Sequence, residues 1–269
     1  MNALTLDVVI PCYNDEETLV KAVESALVQR EVRYVFIVDD ASTDQSADLM
    51  LQLAAQYPNQ VRLLSMPQNG GAARARNWGA MQSDADIIAF LDADDEYDIG
   101  ALSAAYMIFQ QYAYVSLVRL KLSPINLPAH YQTHPNFNKV WQTLAMTVGG
   151  NMIFRRTAFM AAGGFPQHDL FRRLGGEDGA LGIAFTRCTV VGTLFGDNEP
   201  GVKHLCHPRA HAWHLLDAAL FGKTETRVSQ GDLVAAEEVT AEIVRRLQSL
   251  QTVLNVEQAG IMPFYPERT

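Results

Sequence analysis

Two pairs of neighbouring carboxylates stand out in this chain: Asp39-Asp40 in the run Val38-Asp39-Asp40-Ala41-Ser42, and Asp94-Asp95 in Asp92-Ala93-Asp94-Asp95. A single acid after a strand is ordinarily a turn or helix-cap residue. Adjacent carboxylates repel unless a cation or hydrogen-bond donors compensate them, and a divalent ion with oxygen ligands is the economical explanation for two such clusters. Asn69-Gly70-Gly71, followed by Ala72-Ala73-Arg74-Ala75-Arg76, joins backbone donors to a helix start and two guanidinium groups, all suited to phosphate oxygens. The same pattern also serves as a plain turn with surface charge. Together with the acids it suggests a metal-bound diphosphate. Gly175-Gly176-Glu177-Asp178 supplies two further acids at a loop-to-helix junction, suited to a general base or simply to the helix dipole. His204, His207, His211 and His214 fall within eleven residues. Pro208 argues against a regular helix through them, and a zinc site built from several is the sharper alternative to a structural role.

The elements that must position these groups alternate through the first hundred residues. Leu4 to Ile10 is almost wholly apolar, as a strand buried on both faces should be, and Pro11 is expected to end it. Asn14 with Glu17 has capping-box spacing, and Leu19, Ala22, Val23, Ala26 and Leu27 form one helical stripe. Tyr34 to Val38 reads as the second strand. A helix follows from about Asp44, with stripe Ala47, Met50, Leu51 and Ala54, stopping before Pro58. Val61 to Ser65, the helix Ala72 to Ala80 and the strand Ile87 to Leu91 complete the alternation, which argues a parallel sheet with right-handed crossovers. Ligands of such sheets bind at the carboxyl ends of the strands, where the acidic clusters fall.

The second half is less regular. A helix at about Ile99 to Gln111 and a strand at Val115 to Leu122 precede a Pro-rich, polar segment, Ser123 to Asn138, expected as a long functional loop. Strand Met152 to Phe154, helices Thr157 to Ala162 and Asp178 to Phe185, and an amphipathic helix at about Gly231 to Leu254 follow; the last is marked by Val234, Val239, Ile243, Leu247, Leu250 and Leu254. The 269 residues are 48% hydrophobic and 19% charged, which fits a globular protein with a sizeable core. A net charge of −9 speaks against a broad nucleic-acid or anionic-lipid footprint. Cys12, Cys188 and Cys206 are too few and scattered for a disulfide framework, which fits a reducing compartment. The amino terminus lacks a signal-peptide pattern, and Ala101 to Leu122 is too interrupted to span a membrane. A cytoplasmic protein, peripheral at most to the inner membrane face, is expected.

Val8-Val9-Ile10-Pro11-Cys12-Tyr13-Asn14, Val38-Asp39-Asp40-Ala41-Ser42-Thr43-Asp44, Ala75-Arg76-Asn77 and Phe90-Leu91-Asp92-Ala93-Asp94-Asp95 resemble, in order and spacing, the successive motifs of family 2 glycosyltransferases with the GT-A fold. Gly150 to Arg156, Gly163-Gly164-Phe165-Pro166 and Gly176-Glu177-Asp178 resemble that family's acceptor-side segment. The resemblance runs from about Leu6 to Leu216. It implies that Pro11, Tyr13 and Glu17 flank the base and ribose of a nucleotide sugar, that Asp40 hydrogen-bonds the base and that Arg76 approaches the nucleotide. Asp92 and Asp94 match the two acids of the DxD motif, which acts through Mn2+ or Mg2+ on the diphosphate. Asp178 matches the general base of inverting transfer, with Glu177 its neighbour, and His207-Pro208 resembles the position of a third metal ligand.

The expected architecture is therefore an α/β GT-A domain over residues 1–223, with a nucleotide-binding half (1–95) and an acceptor half (96–223), followed by a C-terminal helical segment (224–269). The expected activity is metal-dependent inverting transfer of a hexosyl or N-acetylhexosaminyl group from a UDP-sugar to a glycan or lipid-linked acceptor in bacterial polysaccharide assembly. Donor sugar, acceptor and oligomeric state, a homodimer included, stay open. A nucleotidyltransferase would need a Gly-rich loop after the first strand, where Pro11-Cys12-Tyr13-Asn14 has none. A non-catalytic glycan-binding module on the same fold would have no use for Asp92, Asp94 and Asp178 together.

Overall fold

The computed structural model describes residues 3–207, 210–223, 228–251 and 258–265. Its first half is the expected alternation: β1 (Leu6–Cys12), α1 (Leu19–Leu27), β2 (Val32–Asp39), α2 (Ser46–Gln56), β3 (Val61–Ser65), α3 (Ala72–Gln82) and β4 (Ile87–Phe90). Pro11 does not end β1; it pairs with Val38 inside the strand. Val9 accepts from Leu91 on the β4 side, whereas Cys12 accepts from Asp40 on the β2 side. Pro11 shares the parity of Val9, so its missing N–H falls where β4 has already stopped and costs no ladder bond. Asn14 is not a cap either. It has φ 58°, and its side chain accepts from the Thr43 and Asp44 amides at 2.8 and 3.3 Å, tying the loop after β1 to the loop after β2. On α2, Ser46, Met50 and Leu53 are buried while Leu51 faces solvent.

After β4 come β5 (Glu96–Tyr97), α4 (Ser103–Gln111), β6 (Val115–Leu120), β7 (Leu122–Ile125), α5 (Ala129–Gln132), α6 (Phe137–Ala145), a 3-10 turn (Gly149–Asn151) and β8 (Met152–Arg155). Then follow α7 (Arg156–Ala162), α8 (Asp169–Leu174), α9 (Glu177–Cys188), β9 (Val190–Leu194), β10 (Val202–Leu205), α10 (His211–Phe221), α11 (Gln230–Ser249) and β11 (Gly260–Pro263). The eight-stranded sheet has the order β11-β9-β6-β8-β4-β1-β2-β3 and is parallel except for β8, which runs against both β4 and β6. One face carries α1, α2, α4 and α6 over Val8, Ile10 and Ile37; the other carries α3, α7, α9 and α11 over Val9, Phe90 and Phe154. The described residues after 223 pack onto this body: α11 buries Ile243 and Leu247 beside α9, and β11 extends the sheet along β9. Leu254 lies outside the described residues.

Two further expectations change. The run Val115 to Leu122 is two strands in different sheets, because the chain turns at Lys121, whose N–H reaches Leu194 and whose carbonyl takes the Val202 amide. β7 then joins β10 and β5 in a small second sheet. The segment Ser123 to Asn138 is no open loop. It holds the end of β7, all of α5 and the start of α6, and Phe137, Trp141 and Leu144 fill the core at helical spacing.

Candidate active site

The loops after β1, β2 and β4 meet at the carboxyl edge of the sheet, as expected. Glu16 accepts from the Gln45 amide at 2.8 Å, and Ser46 accepts from the Asp15 amide at 2.9 Å. Ala41 has φ 61°, a left-handed conformation that costs a non-glycine residue about 1 kcal/mol and is typical of loops shaped for a ligand.

The acids of the two clusters have different fates. Asp39 caps its own turn by accepting from Ser42. Asp40 is buried and accepts from the Gly70 and Gly71 amides, each at 2.7 Å. The first cluster is thus compensated by backbone donors, and the two amides expected to cradle a phosphate are committed to Asp40. Asp95 is fully buried and holds the His204 ring at 2.9 Å and the Leu205 amide at 3.0 Å. Burial alone would push the imidazole down, but the Asp95 carboxylate carries it up to about 9. Of the second cluster, Asp92 gives one oxygen to Arg76, which leaves its Oδ2 and Asp94 for a ligand.

Asp94 faces His207, with Oδ2 and Nε2 3.5 Å apart. The small sheet brings them together: β10 runs antiparallel to β5 with Val202 opposite Tyr97 and Lys203 opposite Glu96, so the residues after Lys203 run back along those before Glu96. Both line a cleft of about 760 Å3 with Asp15, Glu16, Glu17 and Asp44, so that carboxylates make up the larger part of its wall. Burial, helped by Asp94 and Asp92, pushes the Asp15 carboxyl up to about 6. Among the described residues no three His, Cys, Asp or Glu side chains converge as a metal cluster. The side chain of His211 lies outside the described residues. Pro11 is buried at the end of β1, and Tyr13 beside it is exposed.

Arg76 does not lie open to a ligand. Its guanidinium is buried, donates to Asp92 at 2.5 Å, lies 3.5 Å from Glu177 and rests over the Phe165 ring. Burial opposes its charge, but Asp92, Glu177 and Asp178 outweigh that and hold it protonated. Glu177 and Asp178 open α9. Burial, then the neighbouring Asp178, raises the Glu177 carboxyl to about 7 against the pull of Arg76. Asp178 accepts from the Gly149 amide at 2.8 Å. The turn bearing Gly149 and Gly150 presses on the site: a Cβ on Gly150 would lie 2.9 Å from Asp92 Oδ2. Sequence reasoning missed Arg119. It is fully buried, donates to the Ala145 and Val148 carbonyls and to Asn151, and its charge lies close to Asp178. Its sequence signal was an arginine inside an apolar strand, which must find partners on burial.

Residues 7–164 match the sequence model of the family described as "Glycosyl transferase family 2". Among curated proteins, a teichoic acid poly(glycerol phosphate) polymerase of Staphylococcus epidermidis is 38% identical over 97 residues, which is 36% of this chain and 13% of that protein. A poly(ribitol-phosphate) beta-glucosyltransferase of Bacillus spizizenii is 27% identical over 159 residues, 56% of this chain and 25% of that protein. The chain thus spans a quarter or less of the length of either. Residues 1–349 of S. aureus TarS in complex with UDP superpose with a TM-score of 0.57 at 19% identity, covering 93% of this chain and 73% of that one. The mannosyltransferase PcManGT from Pyrobaculum calidifontis, in complex with GDP-Man and Mn2+, gives 0.61 at 16%, covering 96% and 77%. These neighbours share the GT-A fold with this chain.

Proposed function

Because the chain belongs to glycosyl transferase family 2, we propose that it moves a sugar from a UDP-sugar to a hydroxyl acceptor, with inversion at the anomeric carbon, in the assembly of a teichoic-acid-type or other polysaccharide. The observation that carries this reading is the Arg76 bridge. One buried guanidinium joins Asp92, at the end of β4, to Glu177, at the start of α9, so that the acid of the donor motif and the acids of the acceptor segment line a single site. The ligands of the structural neighbours, UDP in one and GDP-Man with Mn2+ in another, support a nucleoside diphosphate donor.

A divalent ion fits the residues present. Asp94 and His207, 3.5 Å apart, suit two adjacent ligands of one cation at bond lengths of about 2.1–2.3 Å, with diphosphate and water completing the shell. The acidic wall around them would repel a diphosphate that arrived without a cation. When bound, such an ion neutralises charge on the departing diphosphate. The chain's own residues do the rest. Asp178, oriented by the Gly149 amide, takes the proton of the acceptor hydroxyl as its oxygen attacks C1 and the bond from C1 to the diphosphate oxygen breaks. Glu177, its carboxyl raised to about 7 by burial and by the neighbouring Asp178, stays tied to Arg76 beside the base rather than serving as a second base. Pro11, Tyr13 and Asp40 line the base end, with Asp40 holding the Gly70-Gly71 loop in shape.

Calorimetric titration with UDP, with and without Mn2+, tests the reading. Mn2+ should strengthen UDP binding, and Asp94→Asn or His207→Ala should remove that gain while leaving the metal-free affinity in place. Equal UDP affinity in wild type and Asp94→Asn under both conditions would sink the metal assignment. No UDP binding by wild type would sink the donor.

A further inference from the structure

Between the start of α3 and α8 lies a cavity of about 320 Å3 that is lined on one side by Glu177 and shares no lining residue with the acidic cleft. Its lining carries two arginines, where the cleft has none. Arg74 and Arg172 stand on its walls with His168, and Glu177 and Gly175 line it on the α9 side. Both arginines are exposed and neither has a carboxylate partner closer than 4 Å among the described residues. Arg172 is nonetheless placed, because it donates to the Asn69 carbonyl at 3.2 Å from across the cavity. Arg74 folds back over Gly70, where a Cβ would sit 2.6 Å from its Cδ; the absent side chain leaves room for the arginine stem. His168 accepts the Leu170 amide through Nδ1, so the neutral ring carries its proton on Nε2 and is a donor. Asp169 is the one acid on the rim, and Glu177 is matched by Arg76.

From this geometry we infer that the cavity is the acceptor subsite and that it selects an acceptor bearing a phosphate group, held by Arg74 and Arg172; the inference rests on the glycosyl-transfer reading above. A chain of net charge −9 repels anions at long range, and the cleft at Asp94 repels them at short range. A phosphorylated acceptor therefore needs a local cationic wall, and two guanidinium groups suit the geometry of phosphate oxygens. Anchoring there sets the acceptor beside Glu177, the chain neighbour of Asp178. An uncharged glycan acceptor would have no use for the two arginines.

The test is binding of sn-glycerol 3-phosphate, with glycerol as control, to wild type saturated with UDP and Mn2+, followed by ligand-observed NMR. The phosphate should bind and glycerol should not. The double variant R74Q/R172Q should weaken phosphate binding by roughly tenfold to a hundredfold, as expected for losing two charge-assisted contacts. UDP affinity should stay within about twofold, since in this assignment neither arginine touches the donor. R74K/R172K should retain part of the binding, which guards against a misfolded variant. The inference is overturned if wild type ignores the phosphate, if the glutamine variant binds it equally well, or if the phosphate displaces UDP, which would give the cavity to the donor. Wild type that binds no UDP at all would instead overturn the function proposed above, and this inference with it.

Discussion

Asp178 and Gly150 show at the scale of one residue how chemistry and packing separate. Asp178→Asn keeps the shape and the contact with the Gly149 amide but cannot take a proton near neutral pH. Transfer should fall by roughly 10²–10⁴-fold, the usual contribution of a placed base, with UDP affinity nearly unchanged. A variant that lost UDP binding while keeping its rate per bound donor would make Asp178 a binding residue. Gly150→Ala probes the opposite case, since it removes no functional group. Its Cβ would stand 2.9 Å from Asp92 Oδ2 and 3.2 Å from the Asp92 amide, so the acid must move. Overpacking of this kind costs about 1–3 kcal/mol. The loss should appear mainly as weaker binding of UDP with Mn2+; unaltered affinity would place Asp92 away from the ligand.

At the scale of elements, the candidate catalytic helix α9 depends on a helix far from it in sequence. α11 lies along α9 and starts with a capping box: Ser229 Oγ accepts the Asp232 amide, and the Asp232 carboxylate accepts the Ser229 amide. The cap fixes the end of α11 nearest α8, where Asp232 also meets Arg173 at 2.9 Å. Ser229→Ala should lower unfolding stability by about 1 kcal/mol in urea titration, with kcat little changed. A loss of activity without a loss of stability would mean that the start of α11 acts on the site directly. The small sheet is the other positioning element. Its antiparallel pairing of β5 with β10, reinforced by the Asp95–His204 contact, fixes how closely His207 approaches Asp94.

For the molecule as a whole, Glu177, Asp15 and His204 shift in one direction, and Asp95, raised by burial, shifts with them. Glu177, raised to about 7, and Asp15, raised to about 6, bind protons more tightly folded than unfolded. Their contribution to stability therefore falls as pH rises from about 4 through those values. His204, raised to about 9, contributes fully below the unfolded value of about 6.5, and that contribution is lost as pH rises through about 9. All four act in the same direction. In chelator, Tm should decline steadily from pH 5 to pH 9, and UDP with Mn2+ should restore most of the loss at pH 8 by compensating the crowded carboxylates. A flat or rising Tm over that range would contradict the electrostatic account of the site.

The sequence by itself determined the alternation through β4, the gathering of acids at the carboxyl edge of a mostly parallel sheet, and the motif order of the family. Those are local properties: apolar runs buried on both faces, helical stripes, and acids placed directly after strands. Only the tertiary structure decided which acids were already committed. Asp39, Asp40 and Asp95 read like Asp92 and Asp94 in sequence, but the Ser42 and Gly70-Gly71 amides and the His204 ring claim the first three. Burial likewise turned Arg76 from an expected nucleotide contact into the link between two acids, and made Arg119 a support for the turn beside Asp178. The stripe Phe137, Trp141, Leu144 was masked because it straddles the end of a Pro-rich segment. His207 came to Asp94 through the register of two short antiparallel strands more than a hundred residues apart, and strand register across such a gap leaves no periodicity in the chain to read.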